Sequence, residues 1–307
     1  MTQTPTPFDP LKGASPRSRR RWRRFGLSTL LGWKRLGLFI PYAHADGLMP
    51  GDYPALRPWF ETAEPQFQAL LRRMEADSPA LQAIGPDLPP EPRWNQDWFP
   101  GLDAAAGYCL VKGAKPRRLV EIGSGHSTRF YARAIRDGGF DCALHAIDPA
   151  PRADIATLKG LTLQRVILQH ADRSIFETLE PGDIATMDSS HLMAAGSDVD
   201  LFLNDILPRL KAGVVVHIHD MFLPDAYPDS WTWRGYAEQQ AVAPLIHGGG
   251  YQVLWSSHYV RSRSEPEAIA KALAPISLVE GAMETSLWLV KGGLASAPSA
   301  VREIFEP

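Results

Sequence analysis

Two short stretches hold the side chains best suited to chemistry: Asp188-Ser189-Ser190-His191 and His217-Ile218-His219-Asp220. Carboxylate and imidazole donors suit Mg²⁺ or a softer divalent ion. Asp188, His219 and Asp220 are therefore candidate metal ligands. An ion held there would lower the pKa of a bound hydroxyl. An imidazole titrates near about 6.5 and can take up a proton at neutral pH, which makes His191 and His219 candidate bases. A metal-free site using either histidine stays open. Plainer uses exist: His191 would also brace its loop through a hydrogen bond. His217 lies deeper in an apolar strand and reads as a hydrogen-bonded core histidine.

A third stretch, Leu119-Val120-Glu121-Ile122-Gly123-Ser124-Gly125-His126, reads as strand, glycine turn and helix start. Glycines there let a ligand approach the backbone, since no Cβ intervenes. The helix that follows offers unpaired N–H groups. Glu121 would stand at the carboxyl end of its strand, where ligands of open α/β sheets bind. A carboxylate there suits an ammonium or sulfonium and suits a pyrophosphate poorly. Asp148, 23 residues beyond Gly125, could accept from ribose hydroxyls, and Asp172 from an adenine amino group. Each of these two acids could equally cap a helix. A nicotinamide site expects a third glycine where Thr128 stands.

These residues need a frame that lines up strand ends. Strands are expected at 117–122, 142–147, 163–168, 183–188, 213–219, 251–257 and 285–291. A helix is expected before the first, at 101–113, and others between the earlier ones, at 127–138, 152–159, 173–179, 198–210 and 235–247. The last two strands would be joined by a long connection, 265–273 being its only helix candidate. The alternation predicts an α/β protein, a doubly wound, mostly parallel seven-stranded Rossmann-like sheet. Before it, residues 54–84 carry a helical pattern, with Trp59, Phe60, Phe67, Leu70, Leu71 and Met74, that Pro79 should break into two helices, and Pro86 to Pro92 read as a linker. The expected divisions are a basic, partly disordered arm (1–35), a helical extension (36–97), the sheet domain (98–293) and a tail (294–307).

The chain has 307 residues, 45% hydrophobic and 21% charged, with formal net charge −2. This is an ordinary globular composition, and its charge argues against a nucleic-acid binder. Cys109 and Cys142 form neither a metal spacing nor a disulfide framework, which fits a reducing, cytoplasmic setting. No apolar run reaches about 18 residues, so no transmembrane helix is expected. The run Arg17-Ser-Arg-Arg-Arg-Trp-Arg-Arg24 superficially resembles a twin-arginine export signal. Its apolar stretch is short, is interrupted by Lys34-Arg35 and precedes no cleavage site. Basic residues interleaved with Trp, Phe and Leu would also suit peripheral contact with an anionic inner-membrane surface, or form a solvated tail. Oligomeric state is unreadable. The loop from Met221 to Arg234, with Trp231, Trp233 and Arg234, has the length and aromatic content of a substrate lid, or of a packed rim.

Glu121-Ile-Gly-Ser-Gly followed by Asp148 and Asp172 resembles the cofactor-binding signature of class I S-adenosylmethionine-dependent methyltransferases, over about residues 95–293. Gly235-Tyr-Ala-Glu238-Gln and Ser286-Leu-Trp-Leu289 resemble segments of a bacterial subgroup of small-molecule O-methyltransferases. The resemblance implies S-adenosyl-L-methionine as cofactor, held by Glu121, Gly123, Ser124, Gly125, Asp148 and Asp172. Asp188-x-x-His191 is similar to the metal-dependent macrolide-sugar type, in which the histidine is the proposed base; the catechol type is similar in layout. His219 departs from the acid usual at its position. The acceptor would be a hydroxyl of a sugar, polyketide or similar small molecule. Two further readings are an NAD-dependent oxidoreductase and a non-catalytic membrane-surface interaction protein that keeps a cofactor fold.

Overall fold

The computed structural model describes residues 9–48, 50–85, 88–273, 276 and 278–306. The disorder expected at the extreme amino terminus and the first two residues of the proline-rich linker fall outside these. The described chain divides into two compact units. The larger runs from Tyr53 to Pro224 and from Ala237 onward; the smaller joins the segment before Tyr53 to an insert, Asp225–Tyr236.

The larger unit is built on seven strands: β1 (Arg118–Ile122), β2 (Ala143–Ile147), β3 (Leu161–Gln164), β4 (Ile184–Met187), β5 (Val215–Ile218), β6 (Tyr251–Ser256) and β7 (Leu287–Lys291). Their order is β3-β2-β1-β4-β5-β7-β6. The first five pair in parallel, and β7 lies antiparallel between β5 and β6. The expected doubly wound sheet is present. Its order differs from the simple dinucleotide arrangement, 3-2-1-4-5-6, by insertion of the final strand. Strands β4 and β5 are buried at every position, as central parallel strands covered on both faces must be.

Register sets up the site. Ile122 pairs with Met187, and Met187 with Ile218. The residues that follow, at 123, 188 and 219, therefore leave the sheet on one edge. This is the crevice where strand order reverses between β1 and β4, the usual place for a ligand. Antiparallel β7 pairs Leu287 with Ile218, so the residues that lead into it, Thr285-Ser286, lie beside the end of β5.

The helix expected at 101–113 is present as Gly101–Ala114, and that expected at 127–138 as His126–Gly138. No helix forms at 152–159. The stretch holds two prolines at its approach and an aspartate that turns the chain locally, with Asp154 Oδ1 accepting from Ala156 N, which is the turn chemistry that competes with a helix. The link from β6 to β7 contains two helices, Ser257–Arg263 and Pro266–Leu273. Proline acts at helix starts in the 54–84 segment. Pro58, Pro65 and Pro79 each stand in the first turn of a helix, at Arg57–Thr62, Glu64–Ala76 and Ser78–Gln82, where the missing N–H costs nothing. These helices belong to the larger unit. Phe67 meets Trp255 of β6 edge-on at 5.9 Å, and Phe60 stacks on Tyr259 at 5.5 Å. Phe67, Leu70 and Met74 are almost fully buried, each stabilising by roughly 2 kcal/mol.

Gly123 shows how tightly the crevice loops meet. Its φ is +77°, and a Cβ there would lie 1.7 Å from the Asp188 carbonyl oxygen. The neighbouring loop by itself requires the glycine. Replacing it with alanine should destabilise the protein by at least about 2 kcal/mol; an unfolding midpoint equal to that of the parent would contradict this contact.

Candidate active site

At the carboxyl edge, Asp188 follows β4, and His219 with Asp220 follows β5. His191 turns back from the β4 loop. Its Nε2 lies 3.2 Å from Asp188 Oδ1 and 3.3 Å from Asp220 Oδ2. Its Nδ1 lies 2.8 Å from Glu238 Oε2. His191 and Asp220 both adopt left-handed backbone, each at φ +57°. Such conformations cost about 1–3 kcal/mol in a residue with a side chain, and both fall on residues of one cluster. Asp188, His191 and Asp220 each offer a ligand atom within 4.8 Å of the others.

His219 sits behind these acids. Its Nε2 faces Asp103 Oδ2 at 3.1 Å, and its Nδ1 faces Asp220 at 3.4 Å and Asp188 at 3.8 Å. Asp103 is fully buried in the first turn of the helix Gly101–Ala114. It also accepts from Thr285 N and Ser286 N at 2.8 to 3.0 Å. The inserted β7 thus supplies the donors that hold Asp103, and Asp103 holds His219.

Charge balance follows from this packing. Burial works against a charged His219, but Asp188, Asp103 and Asp220 overcome it and raise its pKa well above the ordinary value. Burial likewise opposes a charged His191, and Asp220, Asp188 and Glu238 raise it well above the usual range. Burial pushes Asp188 up, while His219 and His191 outweigh it and hold the carboxyl below its ordinary range. For Glu238 burial dominates and raises the pKa despite His191.

The side chains that converge are grouped differently from the expected ligand set. His191, expected as the base, is the imidazole that converges with Asp188 and Asp220. His219, expected as both ligand and base, has its Nε2 committed to Asp103. Two residues absent from the expected set, Asp103 and Glu238, orient the histidines. Glu238 lay within a segment noted in the sequence; Asp103 carried no local signal, because its partners are more than a hundred residues away. His217 is the core histidine foreseen. It bonds Tyr131 OH and Ser286 Oγ and stacks on Trp288 at 4.5 Å, and burial lowers its pKa well below the usual value.

Glu121 is arranged differently from the expectation that it faces a cationic ligand. It is almost fully buried. Its two oxygens accept from Ser127 Oγ and Thr128 Oγ1 at 2.5 Å each, clamping the first turn of the following helix. Burial, with some relief from those hydroxyls, raises its pKa to about 8. Asp148 accepts from Ser124 N and Oγ and from Ala150 N, so it braces the glycine turn. Asp172 is exposed and accepts from Ser174 N and Oγ, a local turn one residue ahead of the helix N-cap at Arg173. A narrow cleft of ≈ 10 Å³ lies against Ser124, Gly125, Ser127 and Asp188, walled by Trp98 and Arg152, whose guanidinium sits 4.2 Å over the Trp98 ring. Trp231, Trp233 and Arg234 fall in the smaller unit. There Arg234 lies 3.9 Å over the Trp231 ring and donates to Tyr236 OH.

Residues 120–221 match a family model described as a methyltransferase domain. The match spans β1 to the residue after Asp220 and includes the glycine turn and Asp188. No curated protein matches. Three solved structures are similar. The S-adenosylhomocysteine-bound Podospora anserina methyltransferase PaMTH1 is 17% identical, with 83% of this chain and 99% of that one covered, at TM-score 0.38. A putative methyltransferase from Thermobifida fusca is 13% identical, with 63% and 83% covered, at 0.37. The plantazolicin methyltransferase BamL, in complex with a triazolic desmethylPZN analog and S-adenosylhomocysteine, is 13% identical, with 78% and 95% covered, at 0.37. The family match is to a methyltransferase domain over residues 120–221 and leaves the acceptor open.

The buried Glu121 gives a pH test. Its folded pKa, about 8, lies above its ordinary value of 4.5. Its contribution is complete below the ordinary value and is lost as pH rises through the folded one. Glu121→Gln removes that titration, so the variant should lose a few kcal/mol less stability than the parent between about pH 5 and 8. His191 and His219, with raised pKa values, lose their contribution above about 6.5 in both proteins, so the difference isolates Glu121. Denaturant unfolding across that range checks it, and parallel profiles would refute the assignment.

Proposed function

We propose that the protein transfers a methyl group from S-adenosylmethionine to a hydroxyl oxygen of a small molecule, such as a sugar or polyketide, with a divalent ion assisting. The observation that carries this reading is the convergence of Asp188, His191 and Asp220 at the crevice edge beside the glycine turn. Two carboxylates and one imidazole are a donor set that Mg²⁺ or Mn²⁺ accepts. Glu238 is placed to accept the Nδ1–H of His191 and so to present Nε2 as a donor to a cation. Glu238 Oε1 is buried without a hydrogen-bond partner, in keeping with a carboxylate whose work is to orient that ring.

An ion at this position would supply Lewis acidity to the acceptor oxygen and offset the charge of the two aspartates. His219, oriented by Asp103 as a triad histidine is by its aspartate, then has the acceptor proton to take. Its proton affinity comes from Asp188, Asp103 and Asp220, so neutralising two of them returns it toward a working base. The cofactor reading rests on the cleft beside Ser124–Ser127. There Asp188 offers a negative group for an ammonium, and Arg152 a positive one for a carboxylate. Asp148 keeps the turn in shape and remains a candidate for the ribose hydroxyls. Gly123, Gly125 and Ser124 supply backbone close to the donor. Glu121 takes the role of clamp.

Thermal denaturation tests the cofactor. S-adenosylhomocysteine at about a hundred times its Kd should stabilise by about 2.7 kcal/mol, while NAD should not. The reverse result would move the protein to the oxidoreductases. Manganese binding followed by loss of the free-ion electron paramagnetic signal tests the ion site separately. The parent should bind one equivalent, and Asp188→Asn should weaken binding by at least about tenfold. Full affinity in that variant would remove Asp188 from the ligand set.

A further inference from the structure

The smaller unit carries a feature that methyl transfer does not use. Between Asp9 and Asp46 the sequence holds nine Lys and Arg residues and no acid. Six arginines lie in the helix α1 (Pro16–Leu30). The arm is folded against the insert rather than loose. A Cβ on Gly13, at φ +82°, would lie 2.4 Å from Ser230 O. Lys12 pairs with Asp229, and Ala226 N donates to Asp52.

At 100° per residue, Arg20, Arg23, Arg24, Leu27, Leu30 and Leu31 fall within one third of the turn. All six are exposed, while Ser18, Phe25, Ser28 and Thr29 on the other side are buried or half-buried. The basic residues occupy the early part of this face and the leucines the late part. The chain then turns back. Ser28 Oγ donates to Lys34 O at 2.9 Å, and Leu36 N donates to Thr29 Oγ1 at 3.0 Å. These bonds fix Trp33 at the tip, 76% exposed, next to Leu30 and Leu31 at 59% and 56%. Phe39 and Ile40, at 64% and 77%, add to the same unit. Single exposed leucines are ordinary, but an apolar group of this size beside a basic stripe marks an interaction surface.

We propose that this face docks on an anionic lipid bilayer. The guanidinium groups of Arg20, Arg23 and Arg24 engage headgroup phosphates, and Leu27, Leu30, Leu31 and Trp33 enter the boundary with the acyl chains. The match is one of charge and depth together. Basic residues draw the helix to a negative surface, and an amphipathic helix buries its apolar side at the interface. Tryptophan belongs there, with an apolar body and a polar N–H. A nucleic acid would satisfy the arginines but leave the leucines and Trp33 in water. Among the described residues no helix is long and apolar enough to span a membrane, so the contact is peripheral.

The test is co-sedimentation of the full chain with vesicles of phosphatidylcholine alone and with phosphatidylglycerol at about a third of the lipid, in low and high salt. The parent should sediment with the anionic vesicles only, and less in high salt. Each basic residue near such a surface contributes about fivefold, so the triple change Arg20→Gln, Arg23→Gln, Arg24→Gln should weaken binding roughly a hundredfold. The triple change to lysine should keep binding within about tenfold of the parent, because its charge is intact. Leu27→Ser, Leu30→Ser and Trp33→Ser together, at constant charge, should cost at least about tenfold. Circular dichroism and the melting curve of each variant monitor folding. No binding of the parent to anionic vesicles overturns the proposal. So does full binding by the folded serine variant, which would make the arm a plain polyanion binder. So does tighter retention of the parent by an RNA oligonucleotide that the serine changes leave intact.

Discussion

The edge of the sheet is organised by one electrostatic constraint: four carboxylates and two imidazoles are packed together, most of them buried. Asp103, Asp188, Asp220 and Glu238 surround His191 and His219 at distances of 2.8 to 3.8 Å. Isolated buried charges cost several kcal/mol each, so none of these groups is stable without the others. The backbone yields to that requirement. His191 and Asp220 accept left-handed conformations, and the gain from the charge cluster must exceed the strain they carry. Every other element at the edge, from the first turn of the helix at Gly101 to the start of β7, is placed so that this cluster closes.

Acids outnumber bases in the cluster, and that asymmetry gives it its chemical character. With both imidazoles protonated, the acids still exceed them. Burial raises the pKa of Glu238, and under the proposed reading the excess of acids favours a divalent cation there. The two histidines then part ways according to their neighbours. His191, braced through Nδ1 by Glu238, points Nε2 at the aspartates. His219, braced through Nε2 by Asp103, has Nδ1 turned toward them. The same residue type thus takes two roles set only by which nitrogen is tied down.

The glycine turn is stiffened rather than merely opened. Glu121 ties the end of β1 to the first turn of the next helix, Asp148 ties the turn to β2, and Gly123 lets the β4 loop pass at van der Waals range. These contacts hold Ser124 and Gly125 beside Asp188, so that the cleft and the charged cluster share a wall. A ligand seated at the turn would therefore meet a rigid surface, which reduces the ordering cost of binding.

Much of this was legible in the sequence. Alternating strand and helix patterns, the glycine turn and the acids after β1, β2, β4 and β5 are local signals, since a side chain's place at a strand end depends only on its neighbours in sequence. The doubly wound sheet and the position of Asp188, His191, His219 and Asp220 on one edge follow from them. What the tertiary structure alone decided is partnership. Which histidine meets the aspartates, and which is bound elsewhere, depends on Asp103 and Glu238, brought in from a helix before β1 and a helix after the insert. The antiparallel insertion of β7 carries Thr285 and Ser286 to Asp103, and no local pattern records that register. Likewise Glu121 looks like a ligand-facing acid in sequence and becomes an inward clamp once Ser127 and Thr128 are in reach. Residue type and spacing determine which groups reach the edge; the orientation and protonation of each depend on contacts between segments far apart in the chain, because desolvation and Coulomb interactions are set by distance in space.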